Sequence, residues 1–209
     1  MSTPIISKDT RWCLPPLVVV DLEGNGWQPP DIVEICAIPI DNGILVNTKT
    51  WLVKPEQPIS ARVTSIHGIR NEDVAKAPSF DAIKADVEST LKGRYLVAHN
   101  AVGDWNVLHR KLPTLNLPGI IDTLRLSRTL YPGLSSYSLG VLLDHFGLRE
   151  SLAETEGAPH RAGYDATAAF LLFLHLIDSS PRGPLSFQDL LNIGKVPSTS
   201  DDSQLRLFS

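Results

Sequence analysis

The hydrophobic pattern of this chain changes period partway along, and that change constrains the fold more than any other feature. Short β-branched runs predict strands at 17–20, 32–40 and 44–53, with a turn signal at 41–43 between the last two. From Ser79 onward apolar residues recur at helical spacing, which predicts helices at 79–91, 101–112, 122–130, 138–146 and 162–178. Strands at 94–98 and 120–121 separate the first three of these helices. This order predicts an α/β fold with a mixed sheet flanked by helices.

Composition narrows the class of protein. A chain of 209 residues with 43% hydrophobic residues is long enough for one sizeable core. We divide it into a lead-in at 1–15, a domain at 16–180 and a flexible tail at 181–209. Cys13 and Cys36 are its only cysteines, which excludes a disulfide scaffold and a cysteine zinc site and favours a reducing compartment. Because no apolar run has signal-peptide or membrane length, we expect a cytoplasmic location and no membrane partner.

The net charge of −4 excludes a basic protein that coats nucleic acid by charge alone. It leaves open an enzyme that binds nucleic acid through bound cations.

Asp21 and Glu23 follow directly on the first predicted strand. Residues i and i+2 of a strand point to the same side, so the two carboxylates should converge at the strand's end. A solvated turn is the alternative interpretation. The following Gly24-Asn25-Gly26 fits either a turn or a backbone that a ligand approaches closely.

Two more aspartates and a histidine stand out further along. Asp104 lies in the first helical turn after His99-Asn100, where a carboxylate also complements the helix dipole. Asp165 shares a core-facing stripe with 169, 172 and 176, and no lysine or arginine shares that face. An unpaired buried carboxylate is costly, so a metal ion is its expected partner. His160, otherwise a surface loop residue, then becomes a proton acceptor.

Four carboxylates with one histidine and no cysteine ligand indicate a hard cation, Mg²⁺ or Mn²⁺. Two such cations suit phosphoryl chemistry, because one activates water while the other neutralises the leaving oxygen. They would also convert an acidic pocket into a phosphate-binding one.

Three segments together, 19–26, 99–104 and 160–165, resemble the motifs of DnaQ-like 3′→5′ exonucleases over about residues 16–178. His160 and Asp165 satisfy the H-x4-D spacing of the DEDDh branch, whereas the tyrosine branch would need a tyrosine where Arg161 stands. Segments 58–67, 128–134 and 160–165 are most similar to the bacterial exodeoxyribonuclease X subfamily. The resemblance implies a ribonuclease H-like mixed five-stranded sheet flanked by helices.

The resemblance also implies residue roles. Asp21 would bridge two divalent cations, Glu23 and Asp165 would hold the one that activates water, and Asp104 would support the second. His160 would act as the general base.

Other residues are implied to contact the terminal nucleotide. These are Leu22, Gly24, Asn25, Asn100 and His67, the last in a segment resembling the family's HGI loop. A plain loop histidine is the alternative for His67. Trp27 is the better base-stacking candidate, because Trp105 lies on a core-facing stripe.

The implied function is metal-dependent hydrolysis of phosphodiester bonds from the 3′ end of DNA, in repair, replication or proofreading. An exoribonuclease and a non-catalytic module that binds nucleic-acid ends are the alternatives. Near the C-terminus, the run 204–208 resembles the peptide with which bacterial proteins bind the sliding clamp. Its contacting residues would be Gln204, Leu205, Leu207 and Phe208. The alternative is that these side chains fold back onto the domain.

Overall fold

A mixed β-sheet forms the centre of the molecule. The computed structural model describes residues 14–42, 44–153, 155 and 157–196. Its strands are β1 (Leu17–Gly24), β2 (Ile32–Asp41), β3 (Ile44–Leu45), β4 (Lys49–Leu52), β5 (Tyr95–Ala98) and β6 (Ile120–Asp122). The sheet order is β3-β2-β1-β5-β6, with β4 also paired to β2. Because β3 and β4 follow one another along the same edge of β2, the sheet has five strand positions, which confirms the predicted mixed five-stranded sheet.

In the described ranges, seven α-helices surround this sheet. They are α1 (Ala61–His67), α2 (Phe80–Leu91), α3 (Ala101–Lys111), α4 (Thr123–Leu130), α5 (Leu139–His145), α6 (Ala162–Asp178) and α7 (Phe187–Gly194), with a 3-10 turn at Arg149–Leu152. All five helices predicted in the domain are present, and α6 has the predicted bounds. None of the helices in the described part of the chain has the length and apolar character needed to cross a bilayer.

The predicted strand at 44–53 is corrected to two short strands. Residues 46–48, between β3 and β4, are exposed and do not form a strand. Pro39 of β2 lies opposite this break, and its carbonyl accepts a hydrogen bond from the Val46 amide at 3.0 Å. Proline has no N–H to return, so the ladder is interrupted there.

The register of β1 decides which residues face which layer. β1 runs antiparallel to β2 and parallel to β5. Val18 and Val20 pack on the side of α2 and α3, while Leu17 and Val19 pack on the side of α6. Since side chains alternate along a strand, residues 21 and 23 continue the face covered by α6.

The packed domain extends further than the predicted boundary at residue 180. Leu185, Leu190 and Val196 are buried, and α7 packs against α4 and β6. The predicted tail is therefore corrected: residues up to 196 belong to the core, because these apolar side chains cover the β6 edge of the sheet. The predicted clamp residues 204–208 lie outside the described residues.

Candidate active site

Three carboxylates converge where β1 leaves the sheet. Asp21 and Glu23 project from β1, and Asp165 projects from the first turn of α6. One oxygen of each lies within 4.8 Å of the others. The strand alternation and the core-facing stripe of α6 thus bring together the residues that the sequence singled out. A donor set of carboxylate oxygens alone fits a hard divalent cation.

The electrostatics of this cluster are those of a site that needs a cation. Burial raises the pKa of Asp21 well above its ordinary value, and the carboxylates of Asp104 and Asp165 raise it further. Burial, followed by the carboxylates of Asp165 and Glu34, raises the pKa of Glu23 to about 8. Burial also raises the pKa of Asp165. A bound cation would offset both the burial of charge and the repulsion that these shifts express.

Asp104 approaches the cluster from a third element. It lies in the first turn of α3, outside the group formed by the other three carboxylates. Burial and the carboxylate of Asp122 raise its pKa to about 8, and hydrogen bonding from the Leu22 backbone works in the opposite direction. The Leu22 side chain packs against the core layer that contains α3, so it is the backbone of Leu22 that lies at the site.

His160 stands at the entrance to α6. It is exposed, and its backbone is left-handed with φ of 65°. Its amide donates to Oδ2 of Asp165 at 3.0 Å, so the histidine that precedes α6 is tied to the carboxylate of the helix's first turn. This places the backbone of His160 beside the acidic cluster.

One functional-site residue was missed in the sequence. Glu34 lies near the start of β2, directly opposite Glu23, and is only 2% exposed. A single carboxylate inside the otherwise apolar run 32–40 is the signal that could have identified it.

A cleft of about 300 Å³ adjoins Glu23. Gly24, Trp27, Ile66 and His67 contribute to its walls. Trp27 is 50% exposed, and its indole Nε1 donates to the Pro58 carbonyl at 2.8 Å, which fixes an exposed aromatic ring beside the carboxylates. Trp105, by contrast, is buried as predicted.

Two residues predicted to contact substrate, Asn25 and His67, also hold the local loop structure. Asn25 is 1% exposed, and its side-chain oxygen accepts from the amides of Trp27 and Asp31. Both ring nitrogens of His67 are engaged, Nδ1 with the Ile69 amide at 3.0 Å and Nε2 with the Gly24 carbonyl at 3.3 Å. These polar atoms hold the loop after β1, and contact of Asn25 or His67 with the terminal nucleotide stays a prediction.

Asn100 is exposed in the left-handed region, and its amide donates to Oδ1 of Asp122 at 2.9 Å. Asp122 also caps α4 by accepting from the Leu124 amide. The turn into α3, and with it Asp104, is therefore fixed from β6, while the Asn100 side chain is directed to solvent.

Fold and site together define a hydrolytic nuclease with an acidic centre on a ribonuclease H-like sheet. The exonuclease family of the RNase T type matches residues 18–173. A structure described as Exonuclease X in complex with 5′ overhanging duplex DNA is 30% identical, with a TM-score of 0.68, and the match covers 85% of this chain and 99% of that one. The chain belongs to the DnaQ-like 3′–5′ exonucleases of the DEDDh type.

Longer relatives contain a similar segment. The 3′-5′ exonuclease DinG of Bacillus subtilis is 32% identical over 174 residues, which is 80% of this chain and 18% of DinG. The PolC-type DNA polymerase III of Streptococcus thermophilus is 32% identical over 194 residues, which is 89% of this chain and 13% of the polymerase. The chain thus spans less than a fifth of the length of these two relatives.

Proposed function

We propose that this protein hydrolyses phosphodiester bonds from the 3′ end of DNA with two divalent cations, Mg²⁺ or Mn²⁺. The observation that carries the proposal is the convergence of Asp21, Glu23 and Asp165 within 4.8 Å, beside an open cleft with a fixed exposed tryptophan. Bound at these carboxylates, the cations would lower the pKa of water and neutralise charge on the phosphate.

The chain's own residues divide the remaining work. Asp21, Glu23 and Asp165 hold cations on the face of β1 covered by α6, and Asp104 supports them from α3. His160 accepts the proton of the attacking water, because an imidazole ring nitrogen can act as a general base. The Gly24 and Leu22 backbones line the position of the terminal nucleotide, and Trp27 offers a face for base stacking.

DNA is the proposed substrate because the structurally similar Exonuclease X was solved with 5′ overhanging duplex DNA. A role in replication or repair is proposed from the similarity to a PolC-type polymerase and to DinG. The cytoplasmic location stays a prediction.

A substrate panel tests this function. Labelled single-stranded DNA, duplex DNA with a recessed or mismatched 3′ end, and RNA of the same sequence are incubated with Mg²⁺ or with EDTA. We expect mononucleotides released from DNA 3′ ends with Mg²⁺ only, and none from the Asp21→Asn variant. Faster release from RNA would favour the exoribonuclease, and end binding without release would favour the non-catalytic module.

Clamp binding through Gln204, Leu205, Leu207 and Phe208 is a separate proposal that rests on their sequence alone. Titration of the full chain with sliding clamp tests it, with the double substitution Leu207→Ala and Phe208→Ala as the control. Equal binding by both chains, or binding by neither, would refute it.

A further inference from the structure

The buried Glu34 carboxylate is fully engaged by the segment that carries His160. Arg161 donates to it through Nη2 at 2.5 Å and through Nε at 3.1 Å. The Ala162 amide donates to Oε2 at 2.9 Å. Both of its oxygens are bound from within the chain, which distinguishes Glu34 from the three converging carboxylates.

The same contacts anchor the beginning of α6. Arg161 is the N-cap residue of this helix, and its side chain makes no capping bond to the helix. Glu34 of β2 takes the place of such a cap. Its carboxylate accepts a hydrogen bond from the amide of Ala162, the first residue of the helix. Negative charge is stabilised at this end of a helix. The bidentate arginine adds a fixed orientation, because its planar fork matches a carboxylate in one geometry.

The orientation of His160 depends on these hydrogen bonds between Glu34 and the beginning of α6. Its left-handed φ is unfavourable for a residue with a side chain, and such a conformation persists only where its surroundings hold it. On one side the His160 amide is bound by Asp165. On the other side the chain is fixed by Arg161 and Ala162 on Glu34.

We propose that Glu34 and Arg161 form a positioning pair, which aims the His160 imidazole at the reacting water. This inference rests on the proposed role of His160 as general base. Because the Glu34 carboxylate and the Arg161 side chain bind one another, the pair should act on turnover rather than on substrate binding.

A double-mutant cycle tests the proposal with the full chain, Mg²⁺ and a 3′-labelled DNA strand. The four proteins are wild type, Arg161→Gln, His160→Gln and the double variant. We expect His160→Gln to lose about 10²–10⁴-fold in kcat and Arg161→Gln to lose about 10–10²-fold, with KM changed by less than about threefold. In the His160→Gln background, Arg161→Gln should cost less than about threefold more, because the group it positions is already absent.

Matched variants separate positioning from general destabilisation. Arg94→Gln breaks another bidentate pair on β2, formed with Asp41 at 2.5 and 3.0 Å, at the end of the strand away from the site. It should lower the melting temperature but leave kcat unchanged. Glu34→Gln should reproduce the kcat loss of Arg161→Gln. If Arg161→Gln does not fold, Arg161→Lys takes its place in the cycle, because lysine keeps the charge but lacks the bidentate fork.

The outcomes are distinguishable. Independent losses that multiply in the double variant, an unchanged kcat in Arg161→Gln, or an effect confined to KM would overturn the positioning pair while leaving His160 as base. An unchanged kcat in His160→Gln would overturn the proposed base, and the positioning pair with it.

Discussion

Replacing Glu23 by glutamine should stabilise the cation-free protein, and the gain should grow with pH. Burial and the nearby carboxylates, chiefly Asp165 and then Glu34, raise the pKa of Glu23 to about 8, against an ordinary value of 4.5. Glutamine has the shape of the protonated side chain but never carries the charge. The substitution therefore removes the free-energy cost of keeping Glu23 protonated in the folded chain at pH values where the unfolded chain has already lost that proton.

The sign and size of this stability difference follow from the linkage between proton binding and folding. Below pH 4.5 the carboxyl is protonated in both folded and unfolded chains and costs nothing. Between pH 4.5 and 8 only the folded chain retains the proton, so the free energy of unfolding falls by about 1.4 kcal/mol per pH unit. That gives about 4 kcal/mol at pH 8, and since the side chain is partly exposed, screening by water reduces our expectation to about 2 kcal/mol.

Urea unfolding of EDTA-treated protein at pH 5 and pH 8 measures this difference. We expect Glu23→Gln to exceed wild type by about 2 kcal/mol at pH 8 and by less than about 0.5 kcal/mol at pH 5. The exposed Glu72→Gln is the matched control and should show no pH-dependent gain. An equal difference at both pH values, or a loss of stability at pH 8, would refute the reasoning.

Further predictions concern the cations, the base and the cleft. Asp21→Asn should lower kcat by about 10³-fold or more while circular dichroism stays unchanged, and a melted spectrum would contradict this. Mg²⁺ at about 100 times its Kd should raise the melting temperature of wild type by about 5–10 °C, and that of Asp21→Asn should stay within about 1 °C. His160→Gln should keep this Mg²⁺-induced rise although its turnover is lost, since the imidazole serves as base and not as ligand. Gly26→Ala should cost about 2 kcal/mol, because φ is 84° and the new Cβ would lie 2.4 Å from Ser60 Oγ; Gly103→Ala, in open space on α3, should be neutral or stabilising in the same thermal scan.

Local rules were sufficient for much of the fold. The helical stripe that contains Ala169, Leu172 and Leu176 predicted α6, because a long amphipathic period is hard to mistake. The seven-residue α1, in contrast, was missed. This helix contains the β-branched residues Val63 and Ile66, and it is too short to show a clear amphipathic period. Its position depends on packing against a separate small cluster formed around Val33 and Ile59.

The candidate site divides in the same way. Asp21, Glu23 and Asp165 could be singled out from strand alternation and from a helical stripe, which are properties of neighbouring residues. The partner of Glu34 could not be identified in this way, because Arg161 lies 127 residues further along the chain. The inward orientation of the His67 and Asn25 side chains could likewise not be predicted from the sequence. It depends on which backbone amides the folded loop brings within hydrogen-bonding distance.

Some described carboxylates have a lysine or arginine partner supplied by the protein, whereas those of the central cluster do not. Hydrogen bonds from lysine or arginine lower the pKa of several aspartates away from the site, namely Asp41, Asp86 and Asp144. Among the described residues, no lysine or arginine forms an ion pair with the central carboxylates Asp21, Glu23, Asp104 and Asp165.

Glu34 is the informative exception, because it is buried beside the central group and yet carries its own arginine. Neutralising Glu34 from within leaves the remaining four as the carboxylates that require a cation from solution. Folding at neutral pH therefore brings together carboxylates that must either keep a proton or repel one another, at a cost in free energy that cation binding would recover. Loading of the site and stability of the fold should consequently rise and fall together.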